Sequence, residues 1–271
     1  MAKILFTSDL HFGVTKREAI DRLVVKMRAE KADALVILGD LGEPNEYFGG
    51  VMELLKDVAP RKGYVAGNHD LWCRGTCNST SLWNRILPEI AVEHGFESLE
   101  GEIWRFDGFD LVATMGWYDY SAIDAEFKGM PSEFIASEKG KYDNDATYVN
   151  FLAPDTDLTI SKKCRDGLEK RLRLSQNESQ TKEIIVGTHV PIFEEQMFRK
   201  PGNRRWGFSN AYFGDLTTGE MVKKYSKVRC VVSGHTHTGR EMEIVSGNRP
   251  PIRAVVIDSE YGKPAYWVYR S

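Results

Sequence analysis

The chain has 271 residues and a formal net charge of -3, which is long enough for one large domain with a sizeable buried core. Hydrophobic residues make up 42% and charged residues 28%, as in ordinary globular enzymes, and this balance gives no overall attraction to nucleic acid or anionic lipid. No apolar run approaches the ~20 residues that span a membrane, and the N-terminal apolar stretch is too short for a signal peptide. We therefore expect a cytoplasmic protein without a membrane partner.

The first third of the chain alternates strand and helix patterns. Short apolar runs at residues 3–7, 34–38 and 63–66 predict three buried strands. Apolar residues recur at helical spacing between the runs, at residues 20–27 and 48–58. Two consecutive strand–helix–strand units indicate a parallel core that is buried on both faces.

The middle of the chain has a different pattern. Residues 97–114 predict a β-hairpin with Asp107 and Gly108 at its turn. The polar, irregular stretch that follows is dotted with aromatic residues, and we interpret it as an insertion that forms a rim or lid. We expect a single domain over residues 1–271, with this insertion at about residues 118–153.

The last part returns to helix and strand patterns. A charged helix is predicted at residues 158–174, and buried strands at residues 183–186 and 228–232. The tail, at residues 252–257 and 265–269, has the pattern of antiparallel strands.

Polar clusters follow five of the predicted strands. Because the carboxyl ends of strands in an α/β sheet meet at one edge, we expect these clusters to converge. Only one of the six histidines, His94, lies outside them, which a random distribution would rarely produce. The clusters are Asp9-Leu10-His11, Gly39-Asp40, Gly67-Asn68-His69-Asp70, Gly187-Thr188-His189 and Gly234-His235-Thr236-His237.

The side chains in these clusters are metal ligands by type. Imidazole and carboxylate together suit zinc, manganese, iron and similar divalent metals. Alternation within Asp9-x-His11 and His235-x-His237 places both side chains of each pair on one side of an extended segment. The set exceeds what one ion needs, so we expect two ions that share a bridging carboxylate, an arrangement known for phosphoryl chemistry.

In order and spacing, the five clusters resemble the motifs of the calcineurin-like metallophosphoesterase superfamily, from Asp9 to His237. The resemblance implies an α/β fold, a four-layer αββα sandwich of two mixed β-sheets flanked by helices. It also implies a dinuclear metallophosphoesterase, a metal-dependent hydrolase of phosphate esters in which a hydroxide activated by two metals attacks phosphorus.

Carried over position by position, the resemblance assigns two metal sites with Asp40 as the bridging ligand. The metals would be two divalent ions, with manganese expected and iron, zinc, nickel or cobalt as alternatives. One ion would be held by Asp9, His11, Asp40 and His237, and the other by Asp40, Asn68, His189 and His235.

The resemblance gives His69 a different role. In the superfamily the histidine after the asparagine ligand is not a ligand; it protonates the leaving oxygen or stabilises the transition state. Glu43 stands where the superfamily's protein Ser/Thr phosphatases, with Gly-Asp-x-x-Asp-Arg-Gly, carry a second aspartate. The Arg-Gly pair is missing from this chain, which argues against protein phosphatase activity. We expect Glu43 to support His69, and these two to be the catalytic residues.

Substrate residues are expected near Arg204 and Arg205, where basic and aromatic residues interleave in a way that suits a phosphate and a stacked base. A solvated loop is the alternative interpretation. Trp72 and Arg74, which follow the asparagine–histidine cluster, are further candidates.

The expected partner is a small phosphorylated substrate, either a monoester or a diester, with a nucleotide as one option. A nuclease acting on DNA or RNA is the alternative and is not favoured, because the net charge is -3. A catalytically inactive binding or scaffold module is less favoured still, because every ligand position is filled. The sequence does not define the oligomeric state.

Overall fold

Two mixed β-sheets lie face to face in the computed structural model, which describes residues 2–43, 45–73, 75, 77–245, 247 and 249–271. The strands are β1 (Lys3–Thr7), β2 (Ala34–Leu38), β3 (Arg61–Val65), β4 (Glu97–Ser98), β5 (Trp104–Phe106), β6 (Phe109–Thr114), β7 (Glu183–Thr188), β8 (Val228–Ser233), β9 (Arg240–Ile244), β10 (Ile252–Val256) and β11 (Tyr266–Arg270). The first sheet has the order β11-β1-β2-β3-β4, and the second has the order β5-β6-β7-β8-β10-β9.

Helices connect many of the strands. A π-helical turn at Leu82–Ile86 lies directly between the helices Ser79–Ser81 and Leu87–Glu93. The α-helices are α1 (Arg17–Ala29), α2 (Phe48–Leu55), α3 (Ser79–Ser81), α4 (Leu87–Glu93), α5 (Ser132–Glu138), α6 (Asp145–Tyr148), α7 (Asp157–Asn177), α8 (Arg204–Ser209) and α9 (Leu216–Val222).

Parallel pairing dominates the centre of both sheets. β1, β2 and β3 are parallel neighbours, as are β6, β7, β8 and β10. Antiparallel strands lie at both edges of the second sheet and at one edge of the first, with β5 beside β6, β9 beside β10 and β11 beside β1, whereas β4 at the other edge of the first sheet is parallel to β3. The first strand–helix–strand units therefore have the parallel pairing that the sequence predicts.

Alternation along the strands builds the layers. Phe6, Val36 and Leu38 point between the sheets, where they pack with Leu111, Ile185 and Val232 of the second sheet. On the other face of the first sheet, Leu5, Leu35 and Ile37 pack against α1 and α2 residues such as Ile20, Leu23 and Met52. The outer face of the second sheet packs against Leu168 and Leu172 of α7 and Val222 of α9. The four-layer helix–sheet–sheet–helix fold is thus confirmed.

The predicted hairpin at residues 97–114 is only partly correct. β5 and β6 form a hairpin with Asp107 and Gly108 at the turn, and Gly108 has a φ of 83°. Glu97–Ser98, however, pairs in parallel with β3 in the first sheet. An alternating pattern shows that a segment is extended but does not identify the strand beside it. The two tail strands each have an antiparallel neighbour, but they lie in different sheets.

The segment over residues 118–153 packs against the body of the protein. It contains α5 and α6, and it adds Tyr118, Tyr120, Phe127 and Ile135 to the hydrophobic cluster that covers the first sheet. Its role as a rim or lid stays a prediction. In the described part of the chain, no helix has the length and apolar character needed to cross a membrane.

The packing between the sheets predicts where a truncation destabilises the fold. Leu111 is 1% exposed between the sheets, so Leu111→Ala should lower the free energy of unfolding by about 2–5 kcal/mol. Leu174 on α7 is 54% exposed, so Leu174→Ala should change it by no more than about 0.5 kcal/mol. Urea unfolding measures both, and equal losses in the two variants would contradict the assigned core.

Candidate metal centre

The seven predicted ligands all follow the carboxyl ends of strands, and the fold brings them together. Five of them have a left-handed backbone conformation: φ is 54° at Asp9, 43° at His11, 55° at Asp40, 70° at His235 and 52° at His237. This conformation is uncommon for residues other than glycine and concentrates at functional sites. Sharp turns at the strand ends thus aim these side chains into one space.

Two glycines permit the close approach of neighbouring strand ends. A Cβ atom on Gly67 would overlap the carboxylate and backbone nitrogen of Asp40. A Cβ atom on Gly234 would overlap the side chains of Ser8 and Asp9. Both positions therefore require glycine for steric reasons.

Asp9, His11 and His237 form the first group of candidate ligands. Their candidate ligand atoms all lie within 4.8 Å of one another. Nε2 of His11 lies 3.3 Å from Nε2 of His237, which in turn lies 3.7 Å from Oδ1 of Asp9. The Asp9 carboxylate is held in place by the Ser8 hydroxyl and by the backbone N–H of His235, which donates to Oδ1 at 2.9 Å.

Asp40, His189 and His235 form the second group, and Asn68 lies beside it. The candidate ligand atoms of the three residues are again within 4.8 Å of one another. Oδ1 of Asn68 lies 3.0 Å from Nε2 of His189 and 3.1 Å from Nδ1 of His235.

Asp40 lies between the two groups. Its Oδ2 is 3.6 Å from Nε2 of His11 in the first group and 3.5 Å from Nε2 of His189 in the second. Its Oδ1 accepts a hydrogen bond of 2.9 Å from the backbone N–H of His69. Asp70 braces this arrangement, because its carboxylate accepts the backbone N–H groups of Asp40, Leu41 and Gly67.

Hydrogen bonds on the far sides of the rings define the tautomers in the second group. Nδ1 of His189 faces the carbonyl oxygen of Leu38 at 2.7 Å, and Nε2 of His235 faces that of Tyr212 at 3.3 Å. Because a carbonyl only accepts, those ring nitrogens carry the protons. Burial lowers the pKa of His189 to about 3 and of His235 to about 4, so each ring is neutral at pH 7. Their other nitrogens therefore present lone pairs.

These lone pairs meet the oxygen of Asn68. The amide nitrogen of Asn68 donates to Asp145 at 2.9 Å, so the amide oxygen is the atom that faces both rings. Three acceptor atoms thus converge with no proton among them, which favours a cation in their midst. Burial raises the pKa of Asp40 well above its ordinary range, and a divalent ion on either side would stabilise the charged form. The residues fit a pair of divalent metal ions.

His69 and Glu43 lie beside this centre. Oε2 of Glu43 is 2.9 Å from Nδ1 of His69 and 3.2 Å from Nδ1 of His11. Burial alone would lower the pKa of His69, but the carboxylates of Asp40 and Glu43 outweigh burial and raise this pKa to about 9. The His69 ring also stacks on Trp72, with centroids 3.9 Å apart. The structure therefore brings Glu43 to the histidine that it is predicted to support.

The geometry leaves a second role open to His69. The ligand atoms of His11, Glu43 and His69 lie within 4.8 Å of one another, as in the other two groups. Metal content of a His69 variant separates a ligand from a proton donor. The catalytic roles of His69 and Glu43 stay predictions.

A cavity of about 550 Å³ opens above the centre, and Asp40, Asn68, His69, His235 and His237 are among the residues that line it. Arg205 also lines it and donates to the carbonyl of Lys141 at 2.7 Å. Arg204 does not line it; its side chain is 73% exposed and pairs with Glu126 at 2.7 Å. The structure thus separates the two arginines that the sequence grouped. Trp72 lines the cavity, whereas Arg74 lies outside the described residues.

Aromatic residues complete the cavity wall, and Tyr261 and Phe213 among them were missed at the sequence level. Tyr261 stacks on His11 and on His237, with centroids 4.5 Å and 4.9 Å away. Phe213 contacts His235 edge-on at 5.8 Å, and Trp206 lies 5.5 Å beyond it. Trp206 lies in the basic and aromatic stretch singled out in the sequence, but Tyr261 lies outside every motif.

A two-sheet sandwich with carboxylates, imidazoles and one carboxamide at adjoining strand ends defines the class of metal-dependent phosphoesterases. This chain belongs to the calcineurin-like phosphoesterase family, whose model matches residues 2–239. The membership supports metal-dependent hydrolysis of phosphoesters. A sequence comparison with curated proteins finds no match.

Solved structures share the fold at low sequence identity. A phosphopantetheinyl hydrolase from Mycobacterium tuberculosis has a TM-score of 0.72 and 18% identity, with 96% of this chain and 90% of that chain covered. A dimetal phosphatase from Danio rerio has a TM-score of 0.59 and 14% identity, with coverage of 98% and 91%. A purple acid phosphatase from yellow lupin, Lupinus luteus, has a TM-score of 0.51 and 14% identity, with coverage of 97% and 44%.

The position of His69 predicts a dependence on the leaving group. His69→Ala should lower kcat by about 10²–10⁴-fold on an alkyl phosphate ester, the usual effect of a lost general acid. The loss should be much smaller with p-nitrophenyl phosphate, because p-nitrophenolate departs without protonation. Glu43→Gln should show the same pattern more weakly. Steady-state kinetics on both substrates and elemental analysis of each variant check this.

Metal content should be unchanged in His69→Ala. A lost metal ion would identify His69 as a ligand. An equal loss of kcat on both substrates would contradict its role at the leaving group.

Proposed function

We propose that this chain hydrolyses a small phosphate ester, a diester or a monoester, at a centre of two divalent metal ions. The observation that carries the proposal is the position of Asp40, whose Oδ2 lies 3.6 Å from His11 in one ligand group and 3.5 Å from His189 in the other. A carboxylate at that place would be shared by two ions. Manganese is the first candidate metal, with iron, zinc, nickel and cobalt as alternatives.

The metal ions and the side chains that would hold them have separate parts in the reaction. The two ions, when bound, would neutralise charge on the phosphoryl oxygens and lower the pKa of a water molecule enough for it to attack at neutral pH. One ion would be held by Asp9, His11, Asp40 and His237, and the other by Asp40, Asn68, His189 and His235. The first group is fixed from behind by Ser8 and the second by the carbonyls of Leu38 and Tyr212.

His69 acts at the leaving oxygen. Its Nδ1 atom faces Glu43, which leaves Nε2 for the substrate, and the ring itself lines the cavity. Stacking on Trp72 limits its rotation. The proton that His69 holds at neutral pH can therefore be given to an alkoxide as the phosphorus–oxygen bond breaks.

The cavity supports a small substrate over a nucleic acid. A volume of about 550 Å³ is in the range of small-molecule sites. Its charged lining mixes Arg205 and Lys141 with Asp143 and Asp145, which does not suit a long polyanion. The wall formed by Phe213 and Trp206 would accept an apolar or planar group next to the phosphate.

Metal removal tests the centre itself. We expect two divalent ions per chain by elemental analysis, and loss of activity toward aryl phosphate mono- and diesters after chelation with EDTA. Asp40→Asn should have the largest effect of any single ligand substitution, because Asp40 contacts both groups. Unchanged activity in EDTA, in protein shown to hold no metal, would refute the proposal.

The two neighbouring arginines provide a matched test of substrate recognition. Arg205→Ala should raise KM for the preferred substrate about tenfold, the effect of one lost bond to a charged group. It should change KM for a minimal aryl phosphate much less. Arg204→Ala, which removes the same charge one residue away, should change neither KM.

The preferred substrate is the compound that the protein hydrolyses most efficiently in a panel of mono-, di- and cyclic phosphates, nucleotides and short DNA. Equal effects of the two arginine variants, or equal effects of Arg205→Ala on both substrates, would exclude Arg205 from recognition.

A further inference from the structure

Asp145 is a buried carboxylate that no sequence motif singles out. It begins α6 in the segment over residues 118–153 and is 1% exposed. Its Oδ1 accepts hydrogen bonds from Nδ2 of Asn68 at 2.9 Å and from Nε1 of Trp72 at 2.6 Å. Its Oδ2 contacts the hydroxyl of Tyr118 at 3.0 Å. One side chain thus joins a candidate metal ligand to the residue that stacks on His69.

These contacts determine which way the Asn68 amide points. The indole N–H of Trp72 only donates, so Oδ1 of Asp145 is an acceptor. The Asn68 atom that faces Oδ1 must therefore be the NH₂ group, and the amide oxygen must face His189 and His235. Reversing the amide would place two acceptors against each other at Asp145 and turn the NH₂ group toward the histidines.

We propose that Asp145 is a positioning residue that holds the Asn68 oxygen in its ligand orientation and the Trp72 indole against His69. The inference rests on the proposed two-metal centre. Without Asp145, the Asn68 amide is free to reverse and to donate to the bare nitrogens of His189 and His235. Those hydrogen bonds would compete with a metal ion for the same lone pairs. The segment over residues 118–153 would then contribute to metal affinity, in addition to any role as a rim.

The chain offers a closely matched control in Asp157. Its carboxylate accepts from the indole of Trp117 at 2.8 Å and from the hydroxyl of Tyr120 at 2.8 Å, and it pairs with Lys139. Like Asp145, it accepts hydrogen bonds from one tryptophan and one tyrosine. None of these partners is a candidate ligand. Asp157→Ala therefore removes comparable bonds without releasing Asn68.

The experiment titrates metal-stripped full-length protein with Mn²⁺ by isothermal calorimetry. Wild type should bind two ions. In Asp145→Ala the affinity of one site should fall by about 10–100-fold, the usual effect of losing a partner of a ligand, while the other site changes little. Asp145→Asn keeps an acceptor oxygen without the charge, so its loss should be smaller, about threefold to tenfold. Asp157→Ala should leave both affinities near wild type.

Circular dichroism and thermal melting establish that each variant is folded, and Asp145→Asn carries the test if Asp145→Ala does not fold. Wild-type affinities in whichever Asp145 variant folds would overturn the proposal. Equal weakening in Asp157→Ala would also overturn it, because it would reduce Asp145 to a structural role. A wild-type protein that binds fewer than two ions would instead refute the two-metal centre.

Discussion

Burial of the Asp40 carboxylate between two groups of histidines is the constraint on which the rest of the site depends. The side chain is 1% exposed, and an isolated carboxylate in such a place is strongly disfavoured. Backbone N–H groups and a cation are the available ways to stabilise its charge. The backbone N–H of His69 supplies the first, and the two groups of candidate ligands would supply the second by holding a metal ion. Neighbouring strands must therefore meet very closely at this point.

The packing of the two sheets holds the strand ends at this close distance. Side chains from both sheets interdigitate in one hydrophobic layer, which fixes the ends of β1, β2, β3, β7 and β8 relative to one another. Five of the candidate ligands have left-handed backbone conformations, each of which costs on the order of 1 kcal/mol or more. A rigid core can hold such strain in place because packed strands do not deform gradually. The strain is thus local to the turns that aim the ligands.

Local patterns were sufficient for a parallel strand–helix core and for the convergence of the candidate ligands, whereas the four-layer sandwich was implied by the family resemblance. Apolar runs identify buried strands, and the polar residues directly after them must share an edge of the sheet. The family resemblance then orders these clusters. Partner choice between strands is not local, which is why the pairing of Glu97–Ser98 with β3 was missed.

Residues that reach the site from elsewhere in the chain were also missed. Asp145 contacts Asn68 across 77 residues of sequence, and Tyr261 arrives from the connection between β10 and β11. Neither lies in a pattern that predicts contact. Arg204 and Arg205 are adjacent in sequence, but only the structure shows that Arg205 lines the cavity and that Arg204 pairs with Glu126. Helical rotation separates neighbours in α8 by about 100°.

The shared role of Asp40 is most directly examined by anomalous diffraction from crystals of the protein soaked with Mn²⁺. Two anomalous peaks are expected about 3.5–4 Å apart, the usual spacing of paired metals in phosphoryl chemistry, with the Asp40 carboxylate bridging them. A single peak, or two peaks of which only one lies within ligand distance of Asp40, would contradict the shared role of Asp40.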